Sequence, residues 1–194
     1  MSDILKMTLK LVVITLIAGA LLGGTYVITK EPIAEQELKA ATEARQQVID
    51  AAAFDQIDIA GTEGDYPDVA EAYAARDESG AVVGATVKLT TKGFNPGIVL
   101  TVGIGIDGTV TGVNIGDNEE TPGLGAKAKE ESFYGQYAGK SADSPLEVIK
   151  SGTAGDHQIQ AIAGATITSK GVTNGVNTAV DFYNNVLTAK ISEG

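Results

Sequence analysis

Gln160-Ala161-Ile162-Ala163-Gly164-Ala165-Thr166-Ile167-Thr168-Ser169 is the segment that decides how the C-terminal part of this chain folds. Its first residues are typical of a short apolar strand, which breaks at Gly164-Ala165. From Lys170 onward apolar residues recur at helical spacing: Val172, Val176, Ala179, Val180, Tyr183, Val186 and Leu187. The segment therefore predicts a strand, a turn of small residues and a long helix.

The start of that helix is a candidate anion site. Thr168 or Ser169 can act as the N-cap, which puts Thr166 just ahead of the helix N-terminus. Free backbone N–H groups and the helix dipole favour a phosphate at such a position. Gly164 and Ala165 let the backbone approach that phosphate closely, because they carry almost no side chain. On the residues alone, an ordinary capped helix after a small-residue turn is the alternative.

The composition excludes several kinds of site. The 194 residues include no cysteine, which rules out disulfides, thiolate nucleophiles, iron–sulfur ligands and c-type haem attachment. His157 is the only histidine, and we expect it to be a solvated strand residue rather than part of a metal site or a catalytic triad. Any redox chemistry must therefore come from an organic cofactor. The formal net charge of −11 argues against nucleic acid as a partner.

The N-terminal stretch predicts a retained membrane anchor. No charged residue occurs from Leu11 to Thr29, a run of about 19 residues, which is enough to span a bilayer core of about 30 Å. A signal peptide is the alternative, but the apolar run is longer than a typical signal-peptide core. Lys6 and Lys10 precede the span, and residues 31–194 carry a formal charge of −13. The positive-inside rule then predicts a single pass through the cell (inner) membrane, with a cytoplasmic N-terminus and an extracytoplasmic domain.

We expect three regions along the chain. Residues 1–30 are the cytoplasmic N-terminus and transmembrane anchor, residues 31–60 a juxtamembrane helix, and residues 61–194 one extracytoplasmic domain. Pro32 suits the first turn of the juxtamembrane helix, which we expect to run from Glu31 to about Asp55.

The pattern of residues predicts an α+β fold for the domain. Alternating and β-branched stretches predict an antiparallel meander, with strands at 69–76, 82–90, 98–106 and 109–115. Asp107-Gly108 is expected to form a type I′ hairpin turn. Further along, a short helix is expected over residues 130–137, and short strands over residues 146–149 and 157–162.

The loop from Asp117 to Gly125 is the second informative stretch. It contains Glu120-Thr121-Pro122-Gly123-Leu124-Gly125, a Pro-Gly turn whose glycines permit positive φ and let a flat ligand approach the backbone. Leu124 between the glycines can project from the loop and stack on a planar ring. An ordinary loop is the alternative on this stretch alone.

Both stretches resemble one family of membrane-anchored FMN proteins. Residues 164–169 resemble its S/T-G-A-T flavinylation motif, and residues 120–125 followed by Lys127 resemble its E-T-P-G-L-G-x-K segment. The family comprises the G subunit of the Rnf electron-transport complex and the C subunit of the sodium-pumping NADH:quinone reductase. Ala163 and Gln160 depart from the pattern, which usually has Ser or Thr and Asp at these positions. The resemblance covers roughly residues 1–190.

The resemblance implies an extracytoplasmic FMN-binding domain with an antiparallel sheet and flanking helices, behind an N-terminal transmembrane helix. It implies covalent FMN, joined by a phosphoester to Thr166 by an ApbE-like flavin transferase. No catalytic residue and no metal site are expected. The implied cofactor-binding residues come from the two motifs: Gly164, Ala165, Thr168, Ser169, Glu120, Thr121, Gly123, Leu124, Gly125 and Lys127.

The function implied by the resemblance is electron transfer within an ion-translocating ferredoxin:NAD⁺ oxidoreductase, the Rnf complex. Its partners are the other membrane and peripheral subunits of that complex. The short spacing between the two motifs favours the Rnf protein over the alternative, the C subunit of a sodium-pumping NADH:quinone reductase or another membrane-anchored FMN carrier. An alternative of another class is a membrane-anchored binding or scaffold domain without a cofactor.

Overall fold

Helix α1 runs without interruption from Asp3 to Val48. The computed structural model describes residues 3–141 and 143–193, and the chain separates into two compact units, Met1–Thr42 and Glu43–Gly194. The described part of the first unit is helical, and its large apolar side chains are exposed. Its threonine hydroxyls donate to backbone carbonyls of the preceding turn, as Thr25 does to Leu21 at 2.8 Å. The helix is long and apolar enough to cross a membrane and is consistent with a single anchor.

Two details of the expected juxtamembrane helix are wrong. Pro32 lies inside α1 rather than in a first helical turn, so the anchor and the following segment form one helix. That helix ends at Val48 rather than near Asp55, because the chain then turns to pair with the sheet: the Ala52 N–H donates to the Arg76 carbonyl at 2.8 Å. The expected division of the chain at residues 30 and 60 stays a prediction.

The second unit contains a five-stranded antiparallel sheet in the order β1-β2-β3-β4-β5. The predicted meander is confirmed, with one more strand at its edge than the sequence indicated. The strands are β1 (Ala53–Ile57), β2 (Val69–Arg76), β3 (Val82–Lys92), β4 (Pro96–Gly105) and β5 (Val110–Ile115).

The turn between β4 and β5 is not the predicted type I′ turn. A type I′ turn needs positive φ at both central residues, but only Gly108 has it, at +78°, and no non-glycine residue does in the described part of the chain. The Gly108 N–H donates to the Gly105 carbonyl, and the Gly105 N–H to the Thr109 carbonyl. This is a longer loop that ends in a left-handed glycine. The Asp107 carboxylate accepts from the Thr109 N–H and hydroxyl, which holds Asp107 at negative φ.

The remaining elements follow the sheet in chain order. A 3₁₀ turn and a short helix lead into a parallel pair of short strands, and a long helix then crosses the sheet. They are a 3₁₀ helix (Gly125–Lys129), α2 (Glu131–Tyr134), a 3₁₀ helix (Gly135–Tyr137), β6 (Glu147–Ile149), β7 (Gln158–Gln160), α3 (Thr166–Phe182), a π-helical turn (Tyr183–Leu187) and α4 (Thr188–Glu193).

The main core lies between α3 and one face of the sheet. Val172, Val176 and Phe182 of α3 are fully buried in one cluster with inward side chains of β3 and β4. The approach is closest at Gly171, where a Cβ atom would lie 2.9 Å from the Cα of Gly93. Helix α3 therefore rests directly on the backbone where β3 ends.

The opposite face of the sheet holds the last turn of α1. Val48 and Ile49 pack there in a smaller cluster, and the Thr111 hydroxyl donates to the Val48 carbonyl at 2.5 Å. Gly103 and Gly112 form the floor of this contact, since a Cβ atom on either would meet the Val48 backbone. We call these two residues the glycine floor. It fixes residues at the end of α1 to the middle of the sheet.

Tyr137 gives the domain a pH dependence at alkaline pH. Its ring is fully buried and its hydroxyl is 2.7 Å from the Thr173 hydroxyl, and this burial raises the pKa of Tyr137. A raised pKa in the folded state contributes stability that is complete below the unfolded pKa of about 10 and is lost as the pH rises above it. We expect the free energy of unfolding to fall above about pH 10.

In the Tyr137→Phe variant the free energy of unfolding should fall less steeply as the pH rises. At neutral pH it should lose about 1 kcal/mol, because one buried hydrogen bond is removed. Urea unfolding of the full chain in detergent, followed by circular dichroism from neutral to strongly alkaline pH, measures both effects. Tyr134→Phe, at a half-buried neighbour, is the control. An alkaline fall as large in Tyr137→Phe as in the parent chain would contradict the assignment.

Candidate functional site

Helix α3 begins at Thr166, with Ala165 as its N-cap residue and no side chain capping it. The prediction that Thr168 or Ser169 is the N-cap is therefore wrong. Both lie inside the first turn and are fully buried. The Ser169 hydroxyl donates to the Ala165 carbonyl at 2.9 Å and accepts from the Ile162 N–H at 3.0 Å, so it holds the preceding turn from within the helix.

The uncapped helix end is suited to an anion. The first N–H groups of an α-helix have no partner inside the helix, and Ala165 has no side-chain acceptor to offer them. The helix has 17 residues, long enough for its dipole to favour negative charge at this end. Thr166 is partly exposed in its first turn. A phosphate on or beside Thr166 fits this position.

The two sequence motifs meet at Gly164. Gly164 has φ of +77°, and the Leu124 side chain lies 3.2 Å from the place where a Cβ atom of residue 164 would be. Gly123 also has positive φ, +79°, so the backbone turns just before Leu124. Leu124 remains 44 % exposed beside the turn that leads to Thr166. An exposed apolar side chain next to a phosphate position fits a planar ring attached to that phosphate.

A buried carboxylate joins three chain segments behind this surface. Glu120 is 6 % exposed. Its Oε2 accepts from the Thr168 hydroxyl at 2.7 Å, and its Oε1 accepts from the Asn95 N–H at 3.0 Å. Gly93 and Gly125 leave space for it, because a Cβ atom on either would collide with the carboxylate. Glu120 therefore fixes the loop, the turn after β3 and the first turn of α3 against one another.

The structure sorts the predicted site residues into two groups. Those at the surface are Gly164, Thr121, Gly123, Leu124 and Lys127, with Thr166 partly exposed. Those inside, with no side chain available to an external ligand, are Ala165, Thr168, Ser169, Glu120 and Gly125. The first group can touch a cofactor directly and the second supports it. That any of them binds a cofactor stays a prediction.

Two exposed apolar residues outside the predicted cofactor-binding set are chain neighbours of these segments. Ile167 follows Thr166 and is 58 % exposed, and Phe94, next to Gly93, is 64 % exposed. The sequence did contain a signal for Ile167. It is a large apolar residue in the first turn of a helix, and the core face of that helix starts only at Val172. No local signal identified Asn95, whose N–H donates to Glu120 and whose side-chain amide donates to the Glu119 carbonyl at 2.6 Å.

A cleft of about 210 Å³ lies on the other side of the turn. Lys127, Gln136 and residues 160–163 line part of it. The Gln136 amide holds the backbone of Gln160 by two hydrogen bonds, one from the Gln160 N–H at 2.8 Å and one to its carbonyl at 3.3 Å. The end of β7 is thereby fixed just before the turn at Gly164.

Known families match both parts of the chain. The FMN-binding domain family matches residues 93–181, which include both motifs and most of α3. The RnfG N-terminal region matches residues 1–48, which include the whole of α1. The fold and the site thus define an FMN-binding domain that follows a long N-terminal helix.

Curated relatives identify the family. The chain is 38 % identical to the G subunit of the Na⁺-translocating ferredoxin:NAD⁺ oxidoreductase complex of Acetobacterium woodii, covering 94 % of this chain and 93 % of that protein. It is 33 % identical to the G subunit of the proton-translocating complex of Clostridium ljungdahlii, with 93 % and 91 % covered. It is 34 % identical to the G subunit of the ion-translocating oxidoreductase complex of Methanosarcina acetivorans, covering 93 % of this chain and 95 % of that protein. The chain belongs to the RnfG family, the G subunits of ion-translocating ferredoxin:NAD⁺ oxidoreductase complexes.

Solved structures support the fold. The crystal structure of Shewanella oneidensis NqrC aligns with a TM-score of 0.55 and 24 % identity, covering 64 % of this chain and 62 % of that one. The C subunit of the Na⁺-translocating NADH-quinone reductase of Parabacteroides distasonis aligns with a TM-score of 0.51 and 20 % identity, covering 79 % and 95 %. These likenesses show a shared fold. The predicted resemblance and the predicted fold class are confirmed.

Proposed function

We propose that this chain carries FMN covalently on Thr166 and relays electrons as the G subunit of an Rnf complex. The observation that carries the proposal is the uncapped start of α3, where a partly exposed threonine lies beside Gly164 and Leu124. Family membership supports the choice of FMN and of this complex.

The attachment chemistry follows from the helix end. Transfer of FMN from a flavin dinucleotide forms the bond from the Thr166 side-chain oxygen to phosphorus and breaks the pyrophosphate bond of the donor. The nucleoside monophosphate leaves, the hydroxyl proton is released, and the resulting phosphodiester keeps one negative charge. The N–H groups of the first turn and the helix dipole stabilise that charge. Thr168 and Ser169 are buried and hydrogen-bonded, so they are poor acceptors for a transferase. The geometry thus favours one hydroxyl among three neighbouring ones.

The loop that contains Leu124 would cover the ring. Leu124 would pack on one face of the isoalloxazine. The exposed side chains of Thr121, on the same loop, and of Lys127, in the 3₁₀ helix that follows, would be available to its polar edge. FMN supplies one- and two-electron transfer when it is bound. The residues of this chain supply its attachment, its orientation and the electrostatic field around it.

We also propose the place of the chain in the cell. The N-terminus lies in the cytoplasm, α1 crosses the membrane once, and the domain is extracytoplasmic. Covalent attachment suits that compartment, because a dissociated FMN would be lost. The chain has no cysteine, so iron–sulfur centres belong to the other Rnf proteins, with which it exchanges electrons.

Mass spectrometry of a tryptic peptide tests the attachment. Trypsin cuts after Lys150 and Lys170, so residues 151–170 form one peptide that includes Thr153, Thr166 and Thr168. After co-expression with an ApbE-like flavin transferase, we expect this peptide to gain the mass of one FMN less one water. Fragmentation should place the added mass on Thr166. Protein made without the transferase is the control. The same mass on another residue, or an unmodified peptide after co-expression, would refute the proposal.

A further inference from the structure

Glu120 is a buried charge without a cation beside it. Among the side chains that the structure describes, it is the only carboxylate in the buried core. Its two hydrogen-bond donors, the Asn95 N–H and the Thr168 hydroxyl, are both neutral. Within the described residues, no Lys, Arg or His nitrogen forms an ion pair with it. Its contacts are therefore neutral hydrogen-bond donors, at the N-terminal end of α3, where the helix dipole also favours negative charge.

Such an arrangement is unfavourable for stability by itself. Burying a charge without an opposite charge beside it costs free energy. A neutral amide could accept from the Asn95 N–H with its oxygen and donate to the Thr168 hydroxyl with its nitrogen, without that cost. Yet the surroundings are shaped for this side chain, because Gly93 and Gly125 both leave the space that the carboxylate occupies. A costly charge in a fitted enclosure points to a role other than stability.

The carboxylate lies close to the proposed flavin position. Its partner Thr168 is two residues after Thr166 in the first turn of α3. With a rise of about 1.5 Å per residue, Glu120 lies on the order of 10 Å from the Thr166 hydroxyl. The loop that contains Leu124 starts at Glu120, so the carboxylate is behind both the attachment point and the proposed ring contact.

We infer that the Glu120 carboxylate, held by Thr168 and Asn95 beneath the first turn of α3, lowers the reduction potential of a flavin on Thr166. The inference rests on the proposed function. Two-electron reduction of a flavin near neutral pH takes up two electrons and one proton, which leaves one additional negative charge. A fixed negative charge nearby, shielded from solvent, opposes that change. Exposed carboxylates of the acidic surface have little influence, because water and salt screen them.

The test is a redox titration of the full chain, loaded by the transferase and held in detergent. Dithionite is the reductant and a dye of known potential is the reference. Glu120→Gln keeps the size of the side chain and removes its charge. Glu119→Gln removes a charge from the exposed neighbouring residue and is the matched control. We expect Glu120→Gln to raise the potential at least three times as much as Glu119→Gln.

A second readout separates this role from a structural one. If Glu120 only held the fold together, Glu120→Gln would unfold at lower urea and leave the potential unchanged. A potential that moves no more than in the control, or that falls, overturns the inference. Flavin missing from the Thr166 peptide of the parent chain would instead overturn the proposed function.

Asn95→Lys provides a second test if the Glu120→Gln variant does not receive flavin from the transferase. It retains the backbone N–H that binds Glu120 and adds a cation at the residue that contacts the carboxylate, in place of the side-chain amide that donates to the Glu119 carbonyl at 2.6 Å. It should raise the potential more than Glu119→Lys, although the latter changes the charge by twice as much. A smaller rise than in Glu119→Lys overturns the inference.

Discussion

Replacing Thr166 with alanine is expected to reduce covalently bound flavin to the background of unmodified protein. The side chain that this substitution removes is the partly exposed hydroxyl at the start of α3. Thr168 and Ser169 do not replace it, because both are buried and hydrogen-bonded within the fold. The free energy of unfolding should change by less than about 0.5 kcal/mol, as is usual for a substitution near the surface.

Two further variants complete this experiment. Thr166→Ser keeps a hydroxyl and should retain flavin, whereas Thr178→Ala, on the same helix but about three turns away, should leave loading unchanged. Flavin fluorescence of denatured protein after gel electrophoresis measures the covalent fraction in each variant. A fluorescent band of normal intensity in Thr166→Ala would refute the attachment site.

Gly171→Ala is expected to destabilise the domain by about 3 kcal/mol, at the upper end of the usual cost of overpacking. A methyl group at this position would collide with the Lys92 carbonyl and lie 2.9 Å from the Gly93 Cα. Both obstacles are backbone atoms, and the Thr91 hydroxyl holds the same place by donating to the Gly171 carbonyl at 2.9 Å. Helix and strand must therefore separate to admit the methyl group.

Intrinsic helix propensity alone predicts the opposite effect for Gly171→Ala, since alanine stabilises a helix by about 1 kcal/mol relative to glycine. Asn174→Ala, at an exposed position of the same helix, is the control and should stabilise slightly. Urea unfolding monitored by circular dichroism compares the two variants with the parent chain. Stability equal to or above that of the parent in Gly171→Ala would show that α3 does not rest on the end of β3 as described.

The sheet could be predicted because its information is local. Alternation and β-branched residues mark β2 to β5, and Gly80 and Gly108 mark turns between them. Strand β1 has no such signal: Ala53–Ile57 contains Asp55 and Gln56, and it becomes a strand by pairing with β2. Pro32 misled the prediction because a proline usually starts or ends a helix, while α1 continues through it.

The motifs located the candidate site in the sequence. They did not show which of its residues are buried and which are exposed to a ligand. Thr168 satisfies every local rule for an N-cap. Its hydroxyl instead donates to Glu120, which lies 48 residues earlier in the chain. A non-local partner of this kind outweighs a local preference, and a single sequence carries no sign of it. For the same reason the sequence pattern indicates that Gly125 lets a flat ligand approach the backbone, whereas the structure shows that it leaves space for the Glu120 carboxylate.

The glycine floor beneath Val48 has a mechanical consequence. With no side chain between them, the last turn of α1 and the strands that carry Gly103 and Gly112 move as one piece. A rotation of the last turn of α1 against these strands would have to break the contact at Val48. For the electron transfer proposed above, any movement towards a donor or an acceptor would have to leave this contact intact.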